Sequence, residues 1–199
     1  MSSLPERKYT VDEYFELERT SEIRYEYDNG EIFAMAGASR NHNRISKNIT
    51  NLVDAQIQNR GDCESFFSDV RVRVNDLKYV YPDVFVVCGE QDIGREETVL
   101  NPSVVFEILS KSTRGYDRNG KFDRYKKIKT LTDYVMIAQD RIHILHHKRD
   151  GDTWRRYNTT VYTEENEIVT IESISCTLSV SEIYARVVFE ALPSDDDEE

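Results

Sequence analysis

Apolar and polar residues follow one another along the chain with two periods, one typical of helices and one typical of strands. Between Asn41 and Arg60 the apolar residues recur at intervals of three and four, which predicts an amphipathic helix that is closed by Gly61. Between Val70 and Val74 apolar residues alternate with arginines, which predicts a half-buried strand. The chain therefore combines helices and strands.

Two signals near the N-terminus predict a helix followed by a hairpin. The segment Thr10 to Glu13 has the pattern of a capping box, in which a threonine and a glutamate bind each other's backbone N–H groups where a helix begins. We expect this helix to end near Arg19. The pair Asn29-Gly30 lies between the apolar stretches 23–27 and 31–35, and both residues readily take the positive φ angles of a tight hairpin turn.

The two most continuous apolar stretches lie in the middle of the chain. Val80 to Val87 is interrupted only by Pro82-Asp83, and Val104 to Leu109 is interrupted only by Glu107. Each stretch is expected to form one strand that is buried on both faces of a sheet. Further strands are predicted at 63–67, 134–138, 142–147, 154–162 and 167–171, and further helices at 121–129 and 180–190.

This order of elements predicts an α/β (α+β) fold with a mixed central β-sheet flanked by helices. Its 199 residues are enough for one hydrophobic core. The sequence contains no internal repeat and no long linker, so we expect a single domain at residues 1–192. A disordered acidic tail is expected at residues 193–199.

The formal net charge of −11 argues against a nucleic-acid partner, but the charge is unevenly spread. Residues 107–149 contain eleven lysines and arginines against five acidic residues, a net charge of +6, so the rest of the chain carries −17. A basic segment on an acidic protein can still bind phosphate groups. Ordinary solvated helix faces would give the same local charge, so charge alone leaves both alternatives open.

The cysteines and the apolar runs bear on the compartment in which the protein works. Cys63, Cys88 and Cys176 are far apart and form no Cys-x-x-Cys pair, which predicts buried free thiols rather than a zinc site or a disulfide framework. No apolar run approaches the ~20 residues of a membrane span, and the first residues do not have the pattern of a signal peptide. We therefore expect a cytoplasmic protein without a membrane partner.

Asp83 and Glu107 each place a carboxylate among apolar residues. An ionised carboxylate in a buried strand is costly unless it pairs with a cation or binds a metal ion. Glu107 is therefore expected to be an ion-pair partner, a strand-end residue or a metal ligand. Two acids at the ends of neighbouring strands can share a hard ion such as Mg²⁺, and a nearby lysine can stabilise charge on a phosphate or help to deprotonate a water. Hydrolysis of a phosphodiester requires these parts.

The polar residues in and after the two apolar stretches form a pattern of their own. They are Pro82-Asp83, Glu107-Ile108-Leu109-Ser110, Ser112-Thr113, Asp117, Lys121 and Tyr125. This pattern resembles the Uma-family restriction endonucleases of bacteria, which belong to the PD-(D/E)XK nuclease superfamily. The likeness extends upstream to Tyr14, to residues 26–31 and to His42, and downstream to Asp133-Tyr134, so it covers most of residues 9–140.

The resemblance implies a restriction-endonuclease-like core and a set of site residues. It implies that Asp83 and Glu107 are ligands of Mg²⁺ or Mn²⁺, with the backbone carbonyl of Ile108 as a third ligand. It also implies that Glu26 enters the site, because an upstream acid does so in many members of the superfamily.

One position departs from the superfamily motif, which has a lysine two residues after the second acid. That position is Leu109 here. Strand alternation would place Lys111 on the same face as Glu107 if the strand continues, whereas Lys121 lies in the next predicted helix, where the resembling family has its lysine. We favour Lys121 as a catalytic lysine that has moved, with Lys111 as the second choice and a surface position for both as the alternative. Asp117 could orient Lys121 or only cap its helix.

Other polar residues admit both a functional and a structural role. His42, near the start of a helix, is more typical of a capping or surface residue than of a ligand. His143, His146 and His147 are more typical of a solvated strand edge than of a metal site, because no acid lies near them in sequence. Ser112-Thr113 could bind phosphate or only cap a turn.

Two hypotheses follow for the function. The first is a Mg²⁺- or Mn²⁺-dependent DNA endonuclease, in which Asp83 and Glu107 hold the metal, Lys121 acts on the water or phosphate, and Glu26 supports the site. A homodimer would suit the cutting of both strands of a duplex. The residues expected to steer the nucleic-acid backbone are Arg114, Arg118, Arg124, Lys126 and Lys127. The second hypothesis is a catalytically inactive nucleic-acid-binding or regulatory module, which Leu109 and the acidic total charge would allow.

Overall fold

The helices and strands can be traced in a computed structural model that describes residues 7–35, 37–59, 61–109 and 121–189, without the side chains of residues 156 and 157. The helices in these ranges are α1 (Val11–Thr20), α2 (Arg40–Ile57), α3 (Phe122–Tyr125) and α4 (Val180–Ile183). The strands are β1 (Tyr25–Asp28), β2 (Glu31–Ala34), β3 (Cys63–Phe67), β4 (Val72–Asn75), β5 (Lys78–Val80), β6 (Val84–Cys88), β7 (Val104–Leu109), β8 (Asp133–Ala138), β9 (Ile144–Asp150), β10 (Thr153–Tyr162), β11 (Ile168–Ile171) and β12 (Cys176–Ser179).

The strands form three sheets. A six-stranded sheet has the order β10-β9-β8-β7-β6-β3, and a four-stranded sheet has the order β2-β1-β5-β4. Strands β11 and β12 form a separate antiparallel pair. In the six-stranded sheet β7 and β8 are parallel while the other pairs are antiparallel, so the predicted mixed central sheet is confirmed.

The N-terminal signals are confirmed. Thr10 and Glu13 form the capping box of α1, and each side chain binds the other residue's backbone N–H. Asn29 and Gly30 take φ values of 49° and 93° in the turn between β1 and β2. An added Cβ at Gly30 would lie 3.1 Å from the Cβ of Lys8, so both the backbone conformation and the space favour glycine.

The apolar stretch from Val80 to Val87 forms two strands instead of the single strand that the sequence predicts. β5 ends at Val80 in the four-stranded sheet, and β6 begins at Val84 in the six-stranded sheet. Pro82 lies between them and has no N–H to donate to a strand ladder, which favours a break. Asp83 consequently lies where the chain passes from one sheet to the other.

Helix α2 covers one face of the six-stranded sheet. Its apolar positions Ile45, Ile49, Val53 and Ile57 are almost completely buried and belong to the same cluster as residues of β6, β7 and β8. The helical period of these residues explains the packing, because positions three and four apart share one face. Residues of β11, β12 and α4 complete this layer of the core.

The opposite face of the six-stranded sheet is covered by α3 and by the four-stranded sheet. Tyr125, Ile128 and Leu131 are buried there beside Val105 and Leu109 of β7. Residues of β4 and β5 belong to the same cluster. The sheet is therefore buried on both faces at β6 and β7, which explains their continuous apolar sequence.

The cysteine prediction was wrong. Cys63 and Cys88 lie directly opposite each other on the antiparallel pair β3 and β6, and their sulfurs form a disulfide. Cys176 is free and buried, as predicted for a thiol. The pairing depends on the register of two strands that are 25 residues apart in sequence, which the spacing of cysteines does not reveal.

Two predicted helices are shorter than their sequence patterns suggested, and one strand was missed. α3 ends at Tyr125 rather than near residue 129, and α4 ends at Ile183, with a positive φ of 63° at Arg186. Strand β12 was not predicted. The predicted tail at 193–199 lies outside the described residues. None of the helices in the described ranges is long and apolar enough to span a bilayer.

Candidate active site

Asp83 and Glu107 lie opposite each other at the place where β6 begins beside β7. The antiparallel register pairs Val84 with Phe106, so one further step along both strands places Asp83 opposite Glu107. Directly opposite residues of an antiparallel pair share one face, with Cβ atoms about 5 Å apart. The two acids that stood out in the sequence are therefore neighbours.

The Asp83 carboxylate is held by two contacts. Its Oδ2 accepts a hydrogen bond from the Ile108 backbone N–H at 2.7 Å, and its Oδ1 lies 3.1 Å from Nε2 of His42. Burial lowers the pKa of His42, but the hydrogen bond to Asp83 and the negative charges of Asp83 and Glu107 outweigh this effect, so the pKa of His42 is raised above its ordinary value. The first turn of α2 thus contributes a side chain to the site.

The Glu107 carboxylate is almost completely buried and contacts two residues of the α3 region. Lys121 Nζ donates to Oε2 at 3.1 Å, and the Tyr125 hydroxyl donates to Oε1 at 2.7 Å. The side chain of Glu107 is 2% exposed, and that of Lys121 is 19% exposed. The lysine therefore reaches from the rim of the site to a carboxylate in its interior.

Negative charge is in excess around Glu107. Burial raises the pKa of Glu107, the positive charge of Lys121 lowers it, and the negative charges of Asp83 and Glu26 raise it again, to about 7. Burial and the adjacent Glu107 charge also raise the pKa of Tyr125 well above its ordinary value. The positive charge of Lys121 does not offset the combined effect of burial and the two other acids on the pKa of Glu107.

Glu26 comes from the other sheet. It lies in β1 of the four-stranded sheet, is 6% exposed, and acts electrostatically on both Glu107 and Tyr125. The structure therefore brings it close to the two acids of the central sheet. The four residues expected in the site, Glu26, Asp83, Glu107 and Lys121, lie in one neighbourhood, and their roles stay predictions.

A groove of about 830 Å³ opens beside these residues; Glu26, Asp83 and Lys121 line it, whereas the buried Glu107 is not part of its wall. Its wall includes Glu26 from β1, His42 from α2, and Asp83, Ile108 and Lys121 from the central sheet and α3. Basic and hydroxyl side chains also line it, namely Arg24, Lys47, Ser39, Ser46 and Ser68. Glu26 and Asp83 are thus accessible from a concave surface that carries groups able to bind phosphate.

The two residues that follow Glu107 on β7, Ile108 and Leu109, have different surroundings. The Ile108 N–H points toward Asp83, and the N–H and C=O of a strand residue point to the same side, so the Ile108 carbonyl also faces the Asp83 side. Leu109 lies on the same face as Glu107 and is buried in an apolar cluster with Val105. Lys111 lies outside the described residues, as do Ser112-Thr113 and Asp117.

The donor set is one that fits a hard divalent cation. It consists of two carboxylates and one carbonyl, which are oxygen ligands of the kind that Mg²⁺ and Mn²⁺ bind. Within the described ranges, no three His, Cys, Asp or Glu side chains are close enough to form a metal site by themselves. Mg²⁺ sites commonly use one or two carboxylates and keep several waters, so two acids are sufficient.

Three expectations about histidines and arginines need correction. His42 is not merely a capping or surface residue, because its ring contacts Asp83. His146 is completely buried rather than solvated, and its Nε2 lies 2.7 Å from Asp133 on the neighbouring strand. Arg124 pairs with Asp28 at 3.6 Å and is 13% exposed, so it is not an open contact for a DNA backbone. In each case the side chain is paired with an acid from another part of the fold, and this pairing determines its surroundings.

Comparison with a solved structure defines the class of fold. A crystal structure described as "a putative nuclease belonging to DUF820" from Anabaena variabilis superposes with a TM-score of 0.72, at 17% identity, over 90% of this chain and 99% of that one. The protein therefore has a restriction-endonuclease-like fold, as predicted.

Sequence comparison defines the family. Residues 11–181 match the family described as "Uma2: Putative restriction endonuclease", and the chain belongs to this family. Two similar proteins come from Synechocystis. The uncharacterized protein slr1290 is 34% identical over 94% of this chain and 97% of its own, and the uncharacterized protein sll1609 is 36% identical over 79% and 89%. The predicted resemblance is confirmed.

Proposed function

We propose that the protein is a metal-dependent endonuclease that hydrolyses phosphodiester bonds in DNA. The observation that carries this proposal is the meeting of Asp83, Glu107 and Lys121 beside one groove, in which Asp83 and Lys121 line the wall and Lys121 contacts the buried Glu107. Membership in a family described as restriction endonucleases supports it independently. The arrangement provides acids for a cation and a lysine for a phosphate, which are the parts that the reaction needs.

Asp83, Glu107 and the Ile108 carbonyl would hold Mg²⁺ or Mn²⁺. The carboxylate oxygens that accept hydrogen bonds retain further acceptor capacity. Burial and the negative charges of Asp83 and Glu26 raise the pKa of Glu107, and a bound divalent cation would offset this negative charge. When bound, the metal supplies Lewis acidity toward the phosphate oxygens and lowers the pKa of a coordinated water.

Lys121 has two tasks in this proposal. In the described state its ammonium offsets the charge of Glu107. Its partial exposure lets it also donate a hydrogen bond to a phosphate oxygen in the groove, where positive charge stabilises the transition state. Glu26 would orient water or support the metal from the opposite sheet, and His42 would fix the Asp83 carboxylate through its Oδ1.

A plasmid-nicking assay tests the proposal. Supercoiled plasmid is incubated with the protein in Mg²⁺, in Mn²⁺ and in EDTA, with Asp83→Ala, Lys121→Ala and the matched control Lys129→Ala. We expect metal-dependent nicking that falls by about 100-fold or more in the first two variants. Lys129 is exposed, so its substitution should leave the rate unchanged. Nicking that persists in EDTA, or in both site variants, would contradict the proposal.

The alternative is a module that binds nucleic acid without cutting it. Leu109 is the observation that favours it, because the motif lysine is replaced by a side chain of the apolar core. The same samples distinguish the two functions in a gel-shift assay. Binding of DNA with no nicking in either metal would support the alternative.

A further inference from the structure

A second cavity lies on the same face of the central sheet as Glu107. Its volume is about 670 Å³, which is within the range of small-molecule sites. Met136 of β8 forms part of its floor and is the strand neighbour of Glu107. Residues of β9 and β10 form the rest of the floor, and residues of α3 form a wall.

Aromatic rings line this cavity. The ring of Phe122 stacks on His147 with centroids 4.1 Å apart, and it meets Trp154 edge to face at 5.3 Å. Phe122 also stacks on Tyr134 at 5.1 Å. Such a group of rings offers polarisable ring faces on which another planar ring can stack.

Two polar atoms of the cavity are left without a partner. Within the part of the chain that the structure describes, His147 Nε2 and Trp154 Nε1 are buried and accept or donate no hydrogen bond. An unsatisfied buried polar group destabilises a folded protein, and two of them beside one cavity call for an explanation. Both residues line the cavity, so a ligand there could satisfy both atoms.

The protonation of His147 defines what such a ligand must offer. Burial and the nearby charges of His146 and Lys126 lower the pKa of His147 to about 4, so its ring is neutral at pH 7. Nδ1 of His147 lies 2.7 Å from the Thr159 hydroxyl, which leaves Nε2 for a second partner. The indole of Trp154 can only donate. The ligand therefore needs polar atoms on the edge of a planar ring.

Positive charge lies at the mouth of the cavity. Lys126 is 4.8 Å from the centroid of Phe122 and pairs with Asp123, while Arg155 pairs with Asp150 at 3.4 Å. All four side chains are at least 33% exposed. Exposed pairs of this kind are worth little, so either cation can exchange its partner for a phosphate.

Strand β10, which carries Trp154, pairs irregularly with β9 beside the cavity. The pairing of β10 with β9 shifts between Trp154 and Thr159, so β10 contains more residues than the opposite part of β9. A bulge re-aims side chains, and bulges are frequent beside functional sites. Here it separates Trp154 and Thr159, both of which line the cavity.

We propose that this cavity binds a nucleobase, which stacks on the Phe122–Trp154 group and satisfies His147 Nε2 and Trp154 Nε1 through its polar edge. Lys126 and Arg155 would then meet the attached phosphate. The choice of a nucleobase over other planar heteroaromatic rings rests on the proposed nuclease function. Strands β9 and β10 lie two and three strands from β7, roughly 10–15 Å at the usual strand spacing, so the base would belong to a nucleotide that flanks the bond to be cut.

Trp154 is the only tryptophan of the chain, so its fluorescence reports directly on the cavity. The metal-free protein, excited at a wavelength where nucleotides do not absorb, is titrated with dAMP, with dTMP and with deoxyribose 5-phosphate as a matched ligand without a base. We expect saturable quenching by the nucleotides and none by the sugar phosphate. His147→Leu and Phe122→Leu should each weaken nucleotide binding by about tenfold or more.

A single-stranded oligonucleotide, used intact and with one abasic position, distinguishes a free nucleotide from a nucleic-acid strand as the source of the base. Quenching by the intact oligonucleotide supports a strand, and quenching by mononucleotides alone supports a free nucleotide. Asp83→Ala should quench like the wild type, so loss of nicking and loss of base binding are separate results. Equal quenching of the wild-type protein by deoxyribose 5-phosphate, or no quenching by any of these ligands, would overturn the proposal.

Discussion

The buried carboxylate of Glu107 should make the protein less stable as the pH rises. Below its ordinary pKa of 4.5, Glu107 is protonated in both the folded and the unfolded protein. Between 4.5 and about 7 the unfolded chain has lost this proton while the folded protein still holds it, so the free energy of unfolding falls with increasing pH. Above about 7 both states are ionised, and the full penalty applies.

The magnitude follows from the size of that interval. At about 1.4 kcal/mol per pKa unit, a change from 4.5 to about 7 corresponds to about 3–4 kcal/mol. Glu107→Gln removes the titrating group but retains its size and one oxygen that can accept a hydrogen bond from Lys121 or Tyr125. Between pH 4 and pH 8 the wild type should therefore lose about 3 kcal/mol more than Glu107→Gln.

Urea unfolding of both proteins at these two pH values, in EDTA so that no metal occupies the acids, measures the difference. Other titrating groups contribute similarly to both proteins and largely cancel. Equal pH dependence of the two proteins would show that Glu107 does not carry a raised pKa. A wild type that gains stability relative to Glu107→Gln as the pH rises would reverse the sign, and would mean that Lys121 outweighs the burial of the acid.

Three further predictions concern the neighbours of Glu107 and the disulfide. Tyr125→Phe removes the hydroxyl that donates to Glu107 and should cost about 2 kcal/mol at pH 8 but less at pH 4, because a hydrogen bond to a charged group is stronger; equal losses at both pH values in urea unfolding would contradict this. Leu109→Lys, which restores the motif lysine, should lower the free energy of unfolding by about 3 kcal/mol because it places a charge in an apolar cluster; an unchanged urea midpoint would count against the described packing. Replacing both Cys63 and Cys88 by serine should cost about 3 kcal/mol under non-reducing conditions, since the disulfide closes a separation of 25 residues; no difference from the wild type would argue that this bond does not form in solution.

Local signals in the sequence predicted much of the fold. The capping box at Thr10, the Asn29-Gly30 turn and the period of α2 depend on residues a few positions apart, and all three are confirmed. Asp83 and Glu107 were also recognisable, because a carboxylate in an apolar stretch is unusual wherever the strand lies.

Contacts between distant segments could not be predicted in the same way. The disulfide of Cys63 requires the register of β3 on β6, and the contact of His42 with Asp83 requires the packing of α2 on the central sheet. His146 was misjudged because its partner Asp133 lies on another strand, thirteen residues away. The resemblance to a family did point to His42, although its position in the first turn of a helix alone favoured a structural role.

The break at Pro82-Asp83 has a consequence for how the candidate site is assembled during folding. Glu26 belongs to the four-stranded sheet, whereas Asp83 and Glu107 belong to the ladder of the six-stranded sheet or adjoin it. The three acids therefore come together only after the two sheets have docked. Docking has to overcome their mutual repulsion, so divalent cations should speed the final folding step.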